Sequence, residues 1–169
     1  MSPVLFAQPY DLAATGFIFE SVGDFDEKAA ACRNAHGQRV EEFEVQFIDG
    51  EAIDAALAEA LGLSQNHVAA FFEIIEAWDL RDKQAVIIAV GECGYRFEWD
   101  QTEPAEFDVD LYEEMSLREL AETFVEEGLF GDILERLAAY LDFDAIARDL
   151  SMDYAETTIA GSRVVYRCG

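Results

Sequence analysis

The sequence predicts an α+β protein made of three small subdomains: an antiparallel sheet plus one helix over residues 1–50, a helical bundle over 51–104, and an antiparallel sheet with three helices over 105–169. Three observations lead there. Strand-period and helix-period segments fall into blocks, with strand–helix units on either side of a helical middle. Asp49-Gly50 is a turn signal, and the stretch from Phe97 to Glu106, with Pro104, reads as a linker. A 51% hydrophobic content rules out disorder despite a net charge of −25, and 169 residues suffice for a real core.

In chain order, Val4 to Ala7 and Gly16 to Glu20 are short apolar runs bounded by Pro9 and Gly16, two strands. Asp24 and Glu27 open a helix carrying Phe25, Ala29 and Cys32 that ends near Gly37. From Val40 to Phe47, Phe43, Val45 and Phe47 alternate with Glu42, Glu44 and Gln46, a half-buried strand with an acidic outer face. A helix from Glu51 to Leu61 packs through Ile53, Leu57 and Leu61 and stops at Gly62. Ser64 caps the next helix, whose core face is Val68, Phe71, Phe72, Ile75 and Trp78, with Glu73 and Glu76 among its acids. Val86 to Val90 has strand composition, but its place after two helices favours a third helix of the bundle.

Phe107, Val109, Leu111 and Tyr112 mark a further strand, with Asp108 and Asp110 on its outer face. Ser116 and Glu119 form a capping box for a helix with Leu117, Leu120, Ala121, Phe124 and Val125 on its apolar face and Glu119, Glu122 and Glu126 exposed, with Gly128 beyond Glu127 as its stop. Asp132 and Glu135 start a helix expected to bury Ile133, Leu137 and Leu141, and Phe143 to Leu150 forms a third. Glu156 to Ile159 and Ser162 to Cys168 flank Ala160-Gly161 as a closing hairpin.

The charge pattern is more informative than the fold. There are 36 acids against 11 bases. The window from Val40 to Leu80 holds ten acids and that from Phe97 to Leu117 eight, neither with a Lys or Arg. None lies between Arg118 and Arg136 either. Like charges at i,i+3 and i,i+4 cost a few tenths of a kcal/mol per pair, about 0.2–0.5, so stability alone would not select these rows. Such a surface repels nucleic acid and anionic membranes and attracts basic partners.

Catalytic and metal chemistry find little support. Paired carboxylates are too numerous here to single out a glycosidase pair. Asp108-x-Asp110 and Asp142-x-Asp144 begin like calcium loops but continue with Tyr112 and Ile146 at the next ligand position and lack the required glycine. His36 and His67 have no partners at zinc spacing; His36 reads as a helix-end residue and His67 as a surface residue. Nucleotide-loop and nucleophile-elbow motifs are absent, so the expectation is a non-enzyme without cofactor or metal. Three widely spaced cysteines, Cys32, Cys93 and Cys168, fit reduced thiols. With no basic leader and no apolar run of membrane-spanning length, the expected location is the cytoplasm.

Within Ser116 to Leu150, the runs Leu120-Ala121-Glu122, Phe124 to Asp132 and Tyr140 to Leu150 resemble the ArdA antirestriction family. Leu134 stands where that family often has proline. The resemblance implies an elongated protein mimic of B-form DNA whose carboxylates stand in for phosphates in the DNA-binding groove of type I restriction–modification enzymes. It places the antirestriction motif on Glu126 to Leu141 and a homodimer contact in the C-terminal part, to which Phe107, Val109, Leu111 and Tyr112 are expected to contribute. The carboxylates expected to meet the partner are Glu42, Glu44, Glu73, Glu76, Asp108, Asp110, Glu119, Glu122, Glu126, Glu127, Asp132 and Glu135. Two other readings of the acidity remain open: a general acidic module for basic proteins, and adaptation to high salt.

Overall fold

Alternating burial along Val4–Pro9 makes β1 the central strand of the first sheet, with Leu5 and Ala7 fully buried. Strand β2 (Phe17–Phe19) and strand β3 (Phe43–Asp49) flank it antiparallel, in the order β2-β1-β3. A side chain at Gly16 would collide with the Phe6 ring at 2.5 Å and the Ala7 carbonyl at 2.6 Å, so the turn into β2 needs glycine. Phe43 and Val45 of β3 point inward while Glu44 and Gln46 stay exposed, as the alternation predicts.

The computed structural model describes residues 1–169, and the chain divides into two compact units, Met1–Phe107 and Asp108–Gly169. Both mix helices with a small antiparallel sheet, so the α+β class holds.

In the first unit, helix α1 (Val22–Ala31) starts one turn earlier than Asp24 and Glu27 suggest. Ser21 is the cap, accepting from the Asp24 N–H at 3.2 Å. The helix stops at Ala31, so His36 is not at its end; it lies in a loop whose amide donates to Asn34. Helix α2 (Ala52–Leu61) ends at Gly62 in the left-handed region, φ 64°. Ser64 does not cap α3 (Val68–Ala77): a 3-10 turn, Gln65–His67, intervenes, and the Ser64 hydroxyl sits 3.0 Å from His67 Nδ1. His67 also stacks on Trp99, with centroids 4.6 Å apart, rather than standing free on the surface. The run Val86 to Val90 is helical within α4 (Leu80–Gly91), which Asp79 caps.

The core of this unit joins Leu5, Ala7, Phe19, Phe25, Phe43 and Val45 of the sheet and α1 to Ala58, Val68 and Phe71 of the helices. Residues on both sides of Asp49-Gly50 therefore share one hydrophobic interior. Helices α2 and α4 pack on each other. Between them Lys83 Nζ meets Asp54 Oδ1 at 2.7 Å, both side chains almost fully buried. Next to Lys83, Gln84 is buried with its Oε1 lacking a hydrogen-bond partner.

In the second unit, β4 (Val109–Glu113) pairs with β6 (Ser162–Cys168), which pairs with β5 (Ala155–Ile159), giving the order β4-β6-β5. The β5–β6 turn runs through Ala160 at φ 50° and Gly161 at φ 88°, the left-handed pair a two-residue hairpin requires. Helix α5 (Leu117–Glu126) has both bonds of its capping box in place and buries Leu120, Ala121 and Phe124 of its apolar face, while Leu117 and Val125 at the margins are only partly buried. Its core joins Val165 with the flanking Tyr112, Leu150 and Tyr154.

The next helix departs from expectation. Only one turn, α6 (Glu135–Ala138), forms, and Asp132 does not cap it. Leu137 is 49% exposed, and Ile133 and Leu141 are only partly buried. A short amphipathic segment whose apolar side is only loosely covered lacks the tertiary support that sustains a helix. Helix α7 (Phe143–Leu150) follows, capped by Asp142 and packed on α5. Cys32 is a free thiol, but the expectation of three reduced cysteines does not extend to the other two. No helix is long and apolar enough to cross a membrane.

Candidate functional site

The carboxylates marked by the sequence sort into two kinds. In the first unit, Glu44 projects from the outer face of β3, with Glu42 just before the strand, and both are exposed. Glu73 and Glu76 are exposed on α3, on the side away from the buried Phe71 and Ile74. Side chains three apart on a helix stand about 5–6 Å from each other, and those two apart on a strand about 6.6 Å. No lysine or arginine lies within ion-pair distance of these four inside their unit. Three of the six bases of this unit pair with other acids: Lys28 with Asp24, Lys83 with Asp54 and Arg96 with Glu98.

In the second unit, arginines distant in sequence fold back onto the acids. Asp110 and Arg167 face each other across β4 and β6, and both guanidinium contacts, 2.6 and 2.9 Å, converge on Asp110 Oδ2. Arg118 holds Glu122 at 3.2 Å, one turn along α5, and also binds Asp144 of α7. Hydrogen bonding to Asp144 and the charges around it hold the Arg118 guanidinium even more firmly protonated than usual. Arg163 approaches Glu119 at 3.8 Å. Glu119 accepts from the Ser116 hydroxyl and backbone amide, each at 2.8 Å, and these bonds hold its carboxyl below the ordinary glutamate range.

Asp108, Glu126, Glu127, Asp132 and Glu135 are exposed and carry no ion pair inside the second unit. Glu126 and Glu127 close α5 at its C-terminal end, where the helix dipole already disfavours negative charge and no basic side chain offsets it. Beyond them Leu129, Phe130, Leu134, Leu137 and Tyr140 leave between 49% and 84% of their surface uncovered. The segment from Glu126 to Leu141 therefore interleaves exposed carboxylates, Glu126, Glu127, Asp132 and Glu135, with uncovered apolar side chains.

The four residues expected at a dimer contact do not act alike. Phe107 precedes the strand and belongs to the first unit, its ring 5.6 Å from Tyr95. Leu111 is buried at 7% exposure, and Tyr112 packs against Phe124 and Tyr154, where burial raises its phenol pKa. Val109 is half-buried. What β4 leaves open is its backbone, because it forms one edge of its sheet.

No group of His, Cys, Asp and Glu side chains is placed to hold a metal ion. Sequence reading missed the arginine pairing, whose partners lie 26 and 57 positions apart, and the buried Lys83–Asp54 contact, 29 apart. No protein-family model and no curated protein sequence matches the chain.

Proposed function

We propose that this chain is a non-catalytic antirestriction protein, a mimic of B-form DNA that occupies the basic DNA-binding groove of type I restriction–modification enzymes. The observation that carries the reading is the set of exposed, unneutralised carboxylates on the rigid supports of β3 and α3, Glu42, Glu44, Glu73 and Glu76. Duplex DNA presents one charge per about 1.7 Å of axis, and its affinity for proteins rests largely on phosphate contacts. Carboxylates fixed a few ångströms apart offer a basic groove the same kind of contact. Glu126, Glu127, Asp132 and Glu135 add uncompensated charge in the second unit, and the likeness of Phe124 to Asp132 and Tyr140 to Leu150 to the ArdA family supports the same reading.

The test is displacement of a DNA duplex from a purified type I methyltransferase. Displacement at low salt is the expected outcome, weakening about tenfold or more between 50 and 300 mM salt as charge contacts are screened. No displacement at low salt would refute the mimicry. Equal binding to any basic protein would favour the general acidic module instead. The reading places the protein in the cytoplasm, with an elongated outline that small-angle scattering would reveal. It also assigns a homodimer, with the uncovered Leu129, Phe130, Leu134, Leu137 and Tyr140 as the apolar surface to be buried. Light scattering showing only monomer at micromolar concentration would rule that out.

A further inference from the structure

The first unit contains a cleft of about 630 Å³ between α3, the start of α4 and the loop before the 3-10 turn at Pro104–Glu106. Its walls include both tryptophans of the chain, Trp78 and Trp99, and its rim carries Glu73, Asp82, Asp100 and Glu103. No lysine, arginine or histidine lines it. Phe97 fixes the two indoles, its ring perpendicular to Trp78 at 6.1 Å and edge-on to Trp99 at 5.5 Å. The stacked His67 ring holds Trp99 further, at an interplanar angle of 8°. The aromatic walls are thus set before any ligand arrives.

We infer that this cleft is a docking pocket for a single arginine side chain of a basic protein partner. The chemistry selects that occupant by exclusion. A compact metal ion does not fit, because the carboxylates do not converge on a common point. An apolar side chain would gain contact with the indoles but leave four carboxylates unpaired while stripping their water. A guanidinium meets both features: its face stacks on indole by cation–π attraction, and its edge donates to carboxylates in a fixed fork. Lysine, a strongly hydrated point charge, uses the aromatic walls less well. The inference takes from the proposed function only that the partner is basic.

The test uses the full chain at 150 mM salt, with the two indole N–H resonances as reporters, since both tryptophans lie on the cleft. The probes are N-acetyl-arginine amide, its lysine counterpart and the uncharged citrulline amide. Saturable shifts of both indole signals with the arginine probe are expected, weaker with lysine and absent with citrulline. Glu73→Gln/Glu103→Gln, at exposed positions, weakens arginine binding about two- to fivefold. Asp149→Asn/Asp153→Asn, exposed in the other unit, leaves it unchanged. An absent or unsaturable shift, an equal response to citrulline, or an unchanged response in the Glu73/Glu103 variant overturns the assignment. Loss of the indole response alongside intact duplex displacement sinks the pocket alone. Failure of displacement alongside a saturable arginine response sinks the DNA-mimic reading and leaves the pocket standing.

Discussion

Helices α3 and α5 both carry rows of glutamate on their outer faces, yet they treat that charge in opposite ways. On α3, Glu73 and Glu76 stand exposed with no cation in reach inside their unit. On α5, Glu122 is held by Arg118, and Glu119 is bonded to its own cap and approached by Arg163. The first unit carries 21 acids and 6 bases and the second 15 and 5, so bulk charge does not separate them. Placement does. The first unit spends a lysine inside its core, on Asp54, and leaves surface acids bare, whereas the second uses arginines to tie strands and helices together at the surface. A window empty of cations in sequence is therefore not a surface empty of cations in space.

Several substitutions would break or sharpen this contrast. The largest effect belongs to the buried pair: Asp54→Ala strands Lys83 in the interior and is expected to cost about 3–5 kcal/mol by urea denaturation. Asp54→Leu/Lys83→Met, which removes both charges, should recover most of that loss, so a double variant as unstable as the single one would contradict the assignment. Phe71→Ala, which empties a fully buried site shared by sheet and helices, should cost about 3–5 kcal/mol and unfold both together.

The functional version of the contrast is smaller. Glu73→Gln/Glu76→Gln should weaken duplex displacement about tenfold, while Glu119→Gln/Glu122→Gln, already neutralised by arginine, changes it about twofold at most. Equal losses would mean that ion pairing does not mask those carboxylates from the partner. Next is Ser116→Ala, which should cost about 1 kcal/mol through the lost cap of α5. The smallest effect is on pH dependence. The folded carboxyl of Glu119 titrates below its unfolded value, so its contribution is complete above the unfolded pKa and disappears as pH falls through the folded one. Glu119→Gln should flatten the acid limb of the stability curve, and a Glu119 resonance titrating at the ordinary glutamate value would refute the shift.

Much of the fold could be read where local chemistry decides it. The capping box at Ser116 and Glu119, the αL stop at Gly62 and the Ala160-Gly161 turn each involve residues within a few positions of one another. Ser21 and Asp24 are both good capping residues, and only the path of the chain into α1 selects Ser21. The helix expected after Asp132 is only one turn long because its apolar positions are left half-covered or exposed, which no periodicity reveals. The acidic positions were legible as residue types, but their neutralisation was not. Arg167 meets Asp110 only because β4 and β6 pair in one register, and Arg118 meets Asp144 only because α7 packs on α5. The tryptophan cleft was invisible for the same reason: Trp78 and Trp99 are 21 positions apart, and only the loop after α4 brings them together.

The mixed interior of the first unit has a consequence for how the chain emerges during synthesis. Leu5, Ala7 and Phe19 rest in part on Val68 and Phe71, so the opening strands stay incompletely covered until some fifty further residues have left the ribosome. Over that interval Phe17, Phe19 and Phe43 lack part of their packing, and partly covered apolar surface of this kind is where association competes with folding.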